Sequence, residues 1–237
     1  MIFALGLALC YQLVRRRAPA VGIKPKSLEQ LTTWTIVGLV IGARLFHIFF
    51  YDLPLYLAHP LDVFKIWEGG LASHGGVVGA LLALTLFARG HKIAALKLVD
   101  LIAPLGVLLG AFIRLGNFMN QEILGAPARL PWAVIFGHPI DGSLPIPRHP
   151  VQLYEAVLYM GIFLLAWNLW RRAQSHVGFV TGLVLSLAFS GRIIIEIFKE
   201  PMSQVYEGGV HMGAWLSVPI VLAGLFLMSR RKARSHS

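Results

Sequence analysis

The chain has 237 residues, 57% of them hydrophobic and only 14% charged, with a formal net charge of +10. That balance excludes an ordinary soluble domain, and the single cysteine, Cys10, excludes a disulfide framework or a thiolate metal cluster. The positive charge is divided among loops between apolar runs, so it points to membrane topology rather than to nucleic acid.

The first apolar run, Met1 to Val14, is followed by Arg15, Arg16 and Arg17. A secretory signal carries its basic residues before the apolar core, so this run is expected to be a first span with its N-terminus outside. At a helical rise of about 1.5 Å per residue it reaches only roughly 21 Å. The expectation is therefore a first helix that extends upstream of Met1. Further spans are expected over Leu31 to Tyr51, Leu71 to Ala88, Leu98 to Ile113, Val151 to Trp170, Val177 to Ile195 and Met212 to Met228. The chain is thus expected to be an all-α polytopic membrane protein, one integral domain over residues 1–237 with about seven transmembrane helices.

The loops alternate in basic content. Arg15, Arg16, Arg17, Lys24 and Lys26 precede the second span, and Arg89, Lys92 and Lys97 the fourth. Arg171 and Arg172 precede the sixth, and Arg230, Arg231, Lys232 and Arg234 form the tail. The opposite loops hold only Lys65, Arg129, Arg148 and Lys199. The positive-inside rule then puts the N-terminus outside and the C-terminus in the cytoplasm.

With that topology, Arg44, Arg114 and Arg192 fall in the outer halves of their spans, and His74 and Glu155 near the outer ends of theirs. Glu196 follows Arg192 at i+4, the spacing of a helical ion pair. Arginines that merely snorkel to the head groups should populate both ends of the helices. Ionisable groups gathered at one depth point instead to a functional cavity facing the outer leaflet.

The outer loops have features of their own. Tyr51 to Gly70 contains Pro54 and Pro60 and carries Trp67, which suits an interfacial segment. An irregular extracytoplasmic insertion is expected over residues 116–150, between helices 4 and 5. Within it, Trp132 to Phe136 suits a short strand and Asp141-Gly142 a turn.

Arg114 and Arg192 suit an anion, because a guanidinium stays charged and binds phosphate through paired hydrogen bonds. Alternatively, each neutralises a carboxylate, Glu155 or Glu196. His74, within Ser73-His74-Gly75-Gly76, is either a hydrogen-bonded helix-end histidine or a base and phosphate partner. Gly75 and Gly76 allow a backbone or a lipid head group to approach closely. In the run Arg148 to Glu155, Pro150 suits a first helical turn and Tyr154 the interface. No H-E-x-x-H or paired-carboxylate spacing is present, so neither a metal nor another cofactor is expected.

Five stretches resemble the prolipoprotein diacylglyceryl transferases of the bacterial inner membrane: Gly42 to Leu45, Trp67 to Gly76, Arg114 to Glu122, Arg148 to Glu155, and Arg192 to Glu196. They follow the family's order over most of the chain, and the Arg114 stretch is the most specific. The resemblance implies an enzyme that moves diacylglyceryl from phosphatidylglycerol to the lipobox cysteine of a preprolipoprotein signal peptide. The products are a thioether and glycerol phosphate. It assigns Arg114 and Arg192 to the phosphate and His74 to thiol deprotonation. Asn117 and Glu122 order the Arg114 segment, and Glu196 orients Arg192. Arg44, Asn120, Gly75, Gly76, His149, Gln152, Tyr154 and Glu155 are the remaining residues expected to bind substrate.

The chain departs from the family pattern at Ile113, Lys199, Met202 and Ala214, and in lacking an aromatic Tyr-Gly stretch before the first helix. A non-catalytic paralogue that binds lipid or signal peptide, or a small transporter, is the competing reading. A transporter should show broken helices at mid-membrane.

Overall fold

The computed structural model describes residues 1–70, 72–173, 176–199 and 212–230. Met202 lies outside the described residues, as do Arg231, Lys232 and Arg234, and so do the side chains of His74 and Ala214.

The helices are α1 (Ile2–Arg17), α2 (Pro25–Phe50), α3 (Leu53–Ala58), α4 (Ser73–Gly90), α5 (Ala95–Met119), α6 (Val151–Trp170), α7 (Phe179–Glu196) and α8 (Met212–Ser229). Each apolar run found in the sequence contains one of these helices; α3 is an additional short helix. Among the described residues, α2, α5, α6 and α7 are long and apolar enough to cross a membrane. Gly75–Gly90 and Ser217–Ser229 are shorter apolar helical stretches.

Several expected boundaries move. α2 starts at Pro25, whose fixed φ suits a first turn. α5 runs on to Met119 and has 25 residues, so Arg114 and Asn117 are helical and the irregular segment starts at Asn120, not at 116. Gly116 does not break the helix, because a helical glycine costs only about 1 kcal/mol against alanine. What stops α5 is the turn after it. Gln121 adopts a left-handed φ of 56°, and the Glu122 amide donates back to the Asn117 carbonyl at 2.9 Å. This is the hydrogen-bond pattern of a Schellman cap, with glutamine where glycine is usual. Gln121 is held there by its own side chain, whose Oε1 accepts from the His138 amide at 2.7 Å.

The chain forms two compact units, Arg15–Val99 and Met1–Val14 with Asp100–Ser237. In the first, α2 and α4 cross on glycine. A Cβ at Gly79 would stand 2.1 Å from the Gly38 carbonyl oxygen, and one at Gly42 would stand 2.3 Å from that of Gly75. Gly38 and Gly42 thus face Gly75 and Gly79 at one-turn spacing on both helices, the small-residue contact that lets apolar helices touch backbone to backbone. Gly75 therefore admits a neighbouring backbone. At Gly76 a Cβ would find ordinary contacts of 3.5 Å to Leu39.

Arg44, on the same helix, is 6% exposed. Its guanidinium donates to the carbonyls of Val63 at 3.0 Å, Gly69 at 2.7 Å and Gly70 at 3.2 Å. It also donates to the carbonyls of Asp62 and Lys65. One planar cation thereby gathers the segment after α3, leaving Leu61, Phe64 and Trp67 exposed on it.

In the second unit the same device recurs. A Cβ at Gly182 of α7 would lie 2.5 Å from the Gly224 carbonyl of α8, and one at Gly6 of α1 would lie 2.8 Å from the Phe112 ring of α5. Cys10 packs here, its thiol 3.5 Å from the Leu105 carbonyl. At the start of α7, the buried Asp100 carboxylate accepts from the Gly178 amide at 2.6 Å, the Thr181 amide at 2.8 Å and the Thr181 hydroxyl at 2.6 Å. A carboxylate from α5 thus caps another helix, where the helix dipole favours negative charge.

The irregular segment contains an antiparallel ladder, β1 (Val134–Ile135) with β2 (Pro147–Arg148). The strand expected over Trp132 to Phe136 is thus two residues long. The Asp141-Gly142 turn forms. Gly142 has φ 71°, and the Ser143 amide donates to Asp141 Oδ1 at 3.0 Å, which holds that carboxyl below its ordinary range.

Two stability tests follow from these contacts. Gly79→Ala is expected to lower the melting temperature of the purified protein by several degrees, whereas Gly161→Ala, with nothing within 4 Å of its Cβ, should leave it unchanged or raise it. Asp100→Ala is expected to cost about 2–4 kcal/mol, since three donors lose a charged acceptor. Chemical or thermal unfolding reads it, with Asp100→Asn intermediate.

Candidate functional site

Within the second unit, the end of α5, the start of α6 and the end of α7 bring their polar residues together. Glu155 is the centre. It has no exposed surface, yet it sits in the second turn of α6 as a carboxylate. Its two oxygens take different cations: Arg114 Nε at 2.6 Å on Oε2 and Lys199 Nζ at 3.0 Å on Oε1. Taking a charge out of water costs several kcal/mol per ion, and only close partners offset that.

Arg114 is oriented a second time. Its Nη1 donates to Asn117 Oδ1 at 3.3 Å, and the Asn117 amide donates on to Glu122 Oε2 at 2.8 Å. Asn120 donates to the other oxygen, Glu122 Oε1, at 2.9 Å. The turn backbone is tied to α6 by Gln152, whose Nε2 donates to the Glu122 carbonyl at 2.7 Å. Asn117, Asn120, Glu122 and Gln152 therefore fix the position of Arg114. Glu122 does so without touching it.

Arg192 and Glu196 do not pair as their i+4 spacing led one to expect. Glu196 Oε2 instead meets Lys199 Nζ at 3.2 Å. The chain leaves the helix after Glu196 and turns, and the Lys199 amide donates to the Glu196 carbonyl at 3.1 Å. That turn returns the ammonium over two carboxylates at once. Lys199 is also held through its backbone, which bridges to Gly125. Gly125 is confined there: a Cβ would stand 2.2 Å from the His149 carbonyl. Arg114, Glu155, Lys199 and Glu196 thus form a chain of alternating charge that sums to zero. Arg192 makes no side-chain hydrogen bond or ion pair among the described residues.

His149 and Tyr154 form a neighbouring aromatic group. The Trp132 indole donates to the Tyr154 hydroxyl at 2.9 Å, and that hydroxyl lies 3.2 Å from His149 Nδ1. Because the indole can only donate, the tyrosine oxygen is the acceptor of that bond. The His149 ring rests on Phe198, centroids 5.0 Å apart.

The expected site residues thus divide. Arg114, Asn117, Asn120, Glu122, Gln152 and Glu155 form one network, which Glu196 joins through Lys199. His149 and Tyr154 pair with each other. Arg44, Gly75 and Gly76 belong to the other unit, where Arg44 fastens a loop and Gly75 admits a helix. Lys199 was visible in the sequence as an outer-loop cation and as a departure from the family pattern, and Asp100 gave no signal beyond an acid in an apolar run.

Over residues 1–230 the sequence matches the model of the family described as prolipoprotein diacylglyceryl transferase. A Tolumonas auensis protein named phosphatidylglycerol--prolipoprotein diacylglyceryl transferase is 49% identical over 240 residues, covering 98% of this chain and 91% of that protein. A protein of the same name from Nitratidesulfovibrio vulgaris is 40% identical, covering 100% of this chain and 89% of its own. One from Protochlamydia amoebophila is 42% identical over 86% of this chain and 57% of that protein. The chain therefore belongs to the prolipoprotein diacylglyceryl transferase family.

Proposed function

We propose that this protein transfers the diacylglyceryl group of phosphatidylglycerol to the lipobox cysteine thiol of preprolipoproteins, in the bacterial inner membrane. The observation that carries the reading is Arg114, fixed on Glu155 and Asn117 with further guanidinium donors left over. The family names of its relatives supply the substrates.

In the reaction the cysteine thiol loses its proton, and the thiolate sulfur attacks the glycerol carbon that bears the phosphate. A carbon–sulfur bond forms as the carbon–oxygen bond breaks, and the electron pair leaves with glycerol phosphate. Charge builds on the departing phosphate, so donors already aimed at it lower the barrier. Arg114 and Arg192 are assigned that task. A nearby positive field also favours the thiolate, the reactive form of cysteine. His74 is assigned the thiol proton from the family resemblance alone. His149 and Tyr154 are assigned to the substrate boundary, and Arg44 acts through the segment it fastens.

Helices α1, α2 and α4 to α8 are assigned as seven spans, with the N-terminus outside, the C-terminus in the cytoplasm and the site facing the outer leaflet. Basic residues concentrated between alternate helices support this orientation. The irregular segment from Asn120 to Pro150 is then extracytoplasmic.

Purified protein incubated with phosphatidylglycerol and a lipobox peptide should add one diacylglyceryl mass to the peptide cysteine. Arg114→Ala and Arg192→Ala should each reduce turnover by at least about 100-fold, the order lost with one charged donor to a developing anion, while remaining membrane-inserted. Full activity in Arg192→Ala would remove that residue from the phosphate. Product-free wild type would instead favour a lipid-binding paralogue.

Glu155→Gln tests the support of the clamp. It keeps the shape but strands two cations against a neutral amide, so a stability loss of about 3–5 kcal/mol is expected. Melting in detergent with and without phosphatidylglycerol reads it, and Lys199→Met should lose less because Arg114 still neutralises the carboxylate.

A further inference from the structure

Beside their glycine crossing, α2 and α4 leave a groove of about 600 Å³. Its walls include Val37, Ile41 and Leu45 of α2 and Val78, Leu82 and Leu86 of α4, all of them exposed. The hydroxyl of Thr33, at its inner end, is spent on its own helix, donating to the Glu29 carbonyl at 3.0 Å.

The length of the groove decides between occupants. It follows α2 from Thr33 to Phe50, a helical rise of about 26 Å, close to the hydrocarbon thickness of about 30 Å. One acyl chain fills a single leaflet, about half of that thickness. An apolar helix fills the whole, and the glycines that line the groove are the surface on which membrane helices pack closely.

Charge and position mark the two ends. Glu29 stands one turn before Thr33 on α2 and is exposed. Its carboxylate makes no hydrogen bond or ion pair among the described residues. The charged residues near it in sequence and at the end of α4, Lys24, Lys26, Arg89 and Lys92, are all basic, so Glu29 is the acid that a cation arriving there would meet. At the other end α4 begins. A Cβ at Gly75 would stand 2.2 Å from Phe46 Cβ, so His74, the residue before Gly75, is level with Phe46. From Thr33 to Phe46, α2 rises about 20 Å. A secretory signal has matching parts: a basic n-region, then an apolar h-region of about 7–15 residues, which is roughly 10–22 Å of helix.

We infer that the α2–α4 groove holds the apolar helix of the preprolipoprotein signal peptide, with the basic n-region at Glu29 and the lipobox cysteine at the level of His74. This rests on the transferase reading, which supplies the peptide. The groove then acts as a ruler: an h-region of about 13 residues brings the thiol to the start of α4, and a much shorter one leaves it within the hydrocarbon.

For the test, the full-length protein is placed in vesicles of phosphatidylglycerol and phosphatidylethanolamine with a synthetic peptide carrying a complete signal sequence and lipobox. Benzoylphenylalanine is placed at Ile41 in the groove, or at Val157 on α6, which is 74% exposed and outside it. Illumination should join the peptide to position 41 and not to position 157. Turnover is then compared for wild type and Glu29→Lys, using the same peptide and one whose n-region lysines are replaced by glutamates. Glu29→Lys should raise KM for the basic peptide about 3- to 10-fold, the scale of an exposed ion pair turned into a repulsion. Its kcat should stay within roughly twofold, and its KM for the acidic peptide should fall.

Labelling of phospholipid alone at position 41 assigns the groove to acyl chains, and labelling of a second copy assigns it to self-association; either overturns the inference. Equal peptide labelling at 41 and 157, or KM values that move together for the two peptides, overturns it as well. The cross-link needs no turnover, so the two failures are told apart. A wild type that labels the peptide but forms no thioether overturns the transferase reading alone, whereas thioether formed without a peptide cross-link at 41 overturns only the docking.

Discussion

A carboxylate with no exposed surface constrains everything around it. Glu155 is held by cations from two other parts of the chain, Arg114 on α5 and Lys199 beyond α7. In an apolar setting neither cation can drift, because the ion left behind would be stranded without water. The alignment of α5 against α6, and the turn that follows α7, are therefore tied to a single ion cluster. The Asn117–Glu122 relay and the Gln152 hydrogen bond then set the turn that leaves α5.

Such a cluster can be rigid only if the helices carrying it are close. In a bilayer the lipid tails are as apolar as the side chains, so helices gain little by hiding leucine from the solvent. Close packing and polar contacts must hold them instead. Both appear here. Glycines at 38, 42, 75 and 79 join α2 to α4, and those at 182 and 224 join α7 to α8. Gly110 and Gly191 play the same part beside the polar cluster, where they admit Tyr159 and Leu158. The glycines are thus scaffold as much as the ions are, and Asp100 adds a polar lock at the start of α7.

The helices were legible because long apolar runs divided by basic loops have few other physical meanings. The Arg114–Glu122 segment was legible as well, since charge at the end of a span needs a reason. Side-chain pairing was not. Arg192 and Glu196 stand at an ideal helical spacing, yet the turn after α7 hands Glu196 to Lys199, and a spacing rule cannot see a turn three residues on. The extent of α5 was missed for a related reason: Gly116 and Asn117 suggest a break, but their surroundings keep the helix intact until the left-handed Gln121. Arg44 reads in the sequence as a substrate-binding residue because its charge is visible there and the loop carbonyls it donates to are not.

The arrangement separates holding a cation in place from leaving it free to act. Arg114 spends its Nε on Glu155 and one Nη1 hydrogen on Asn117, so it is fixed in orientation but keeps further donors. Lys199 shares the charge of Glu155, so the carboxylate does not cancel Arg114 outright. A guanidinium paired one-to-one with a carboxylate would be well placed but electrostatically silent toward a second anion. Dividing the carboxylate between two cations keeps the placement and preserves the field. The resemblance assigned Glu196 to orienting Arg192; in the structure Glu196 meets Lys199 instead, because the turn after α7 returns that ammonium to it.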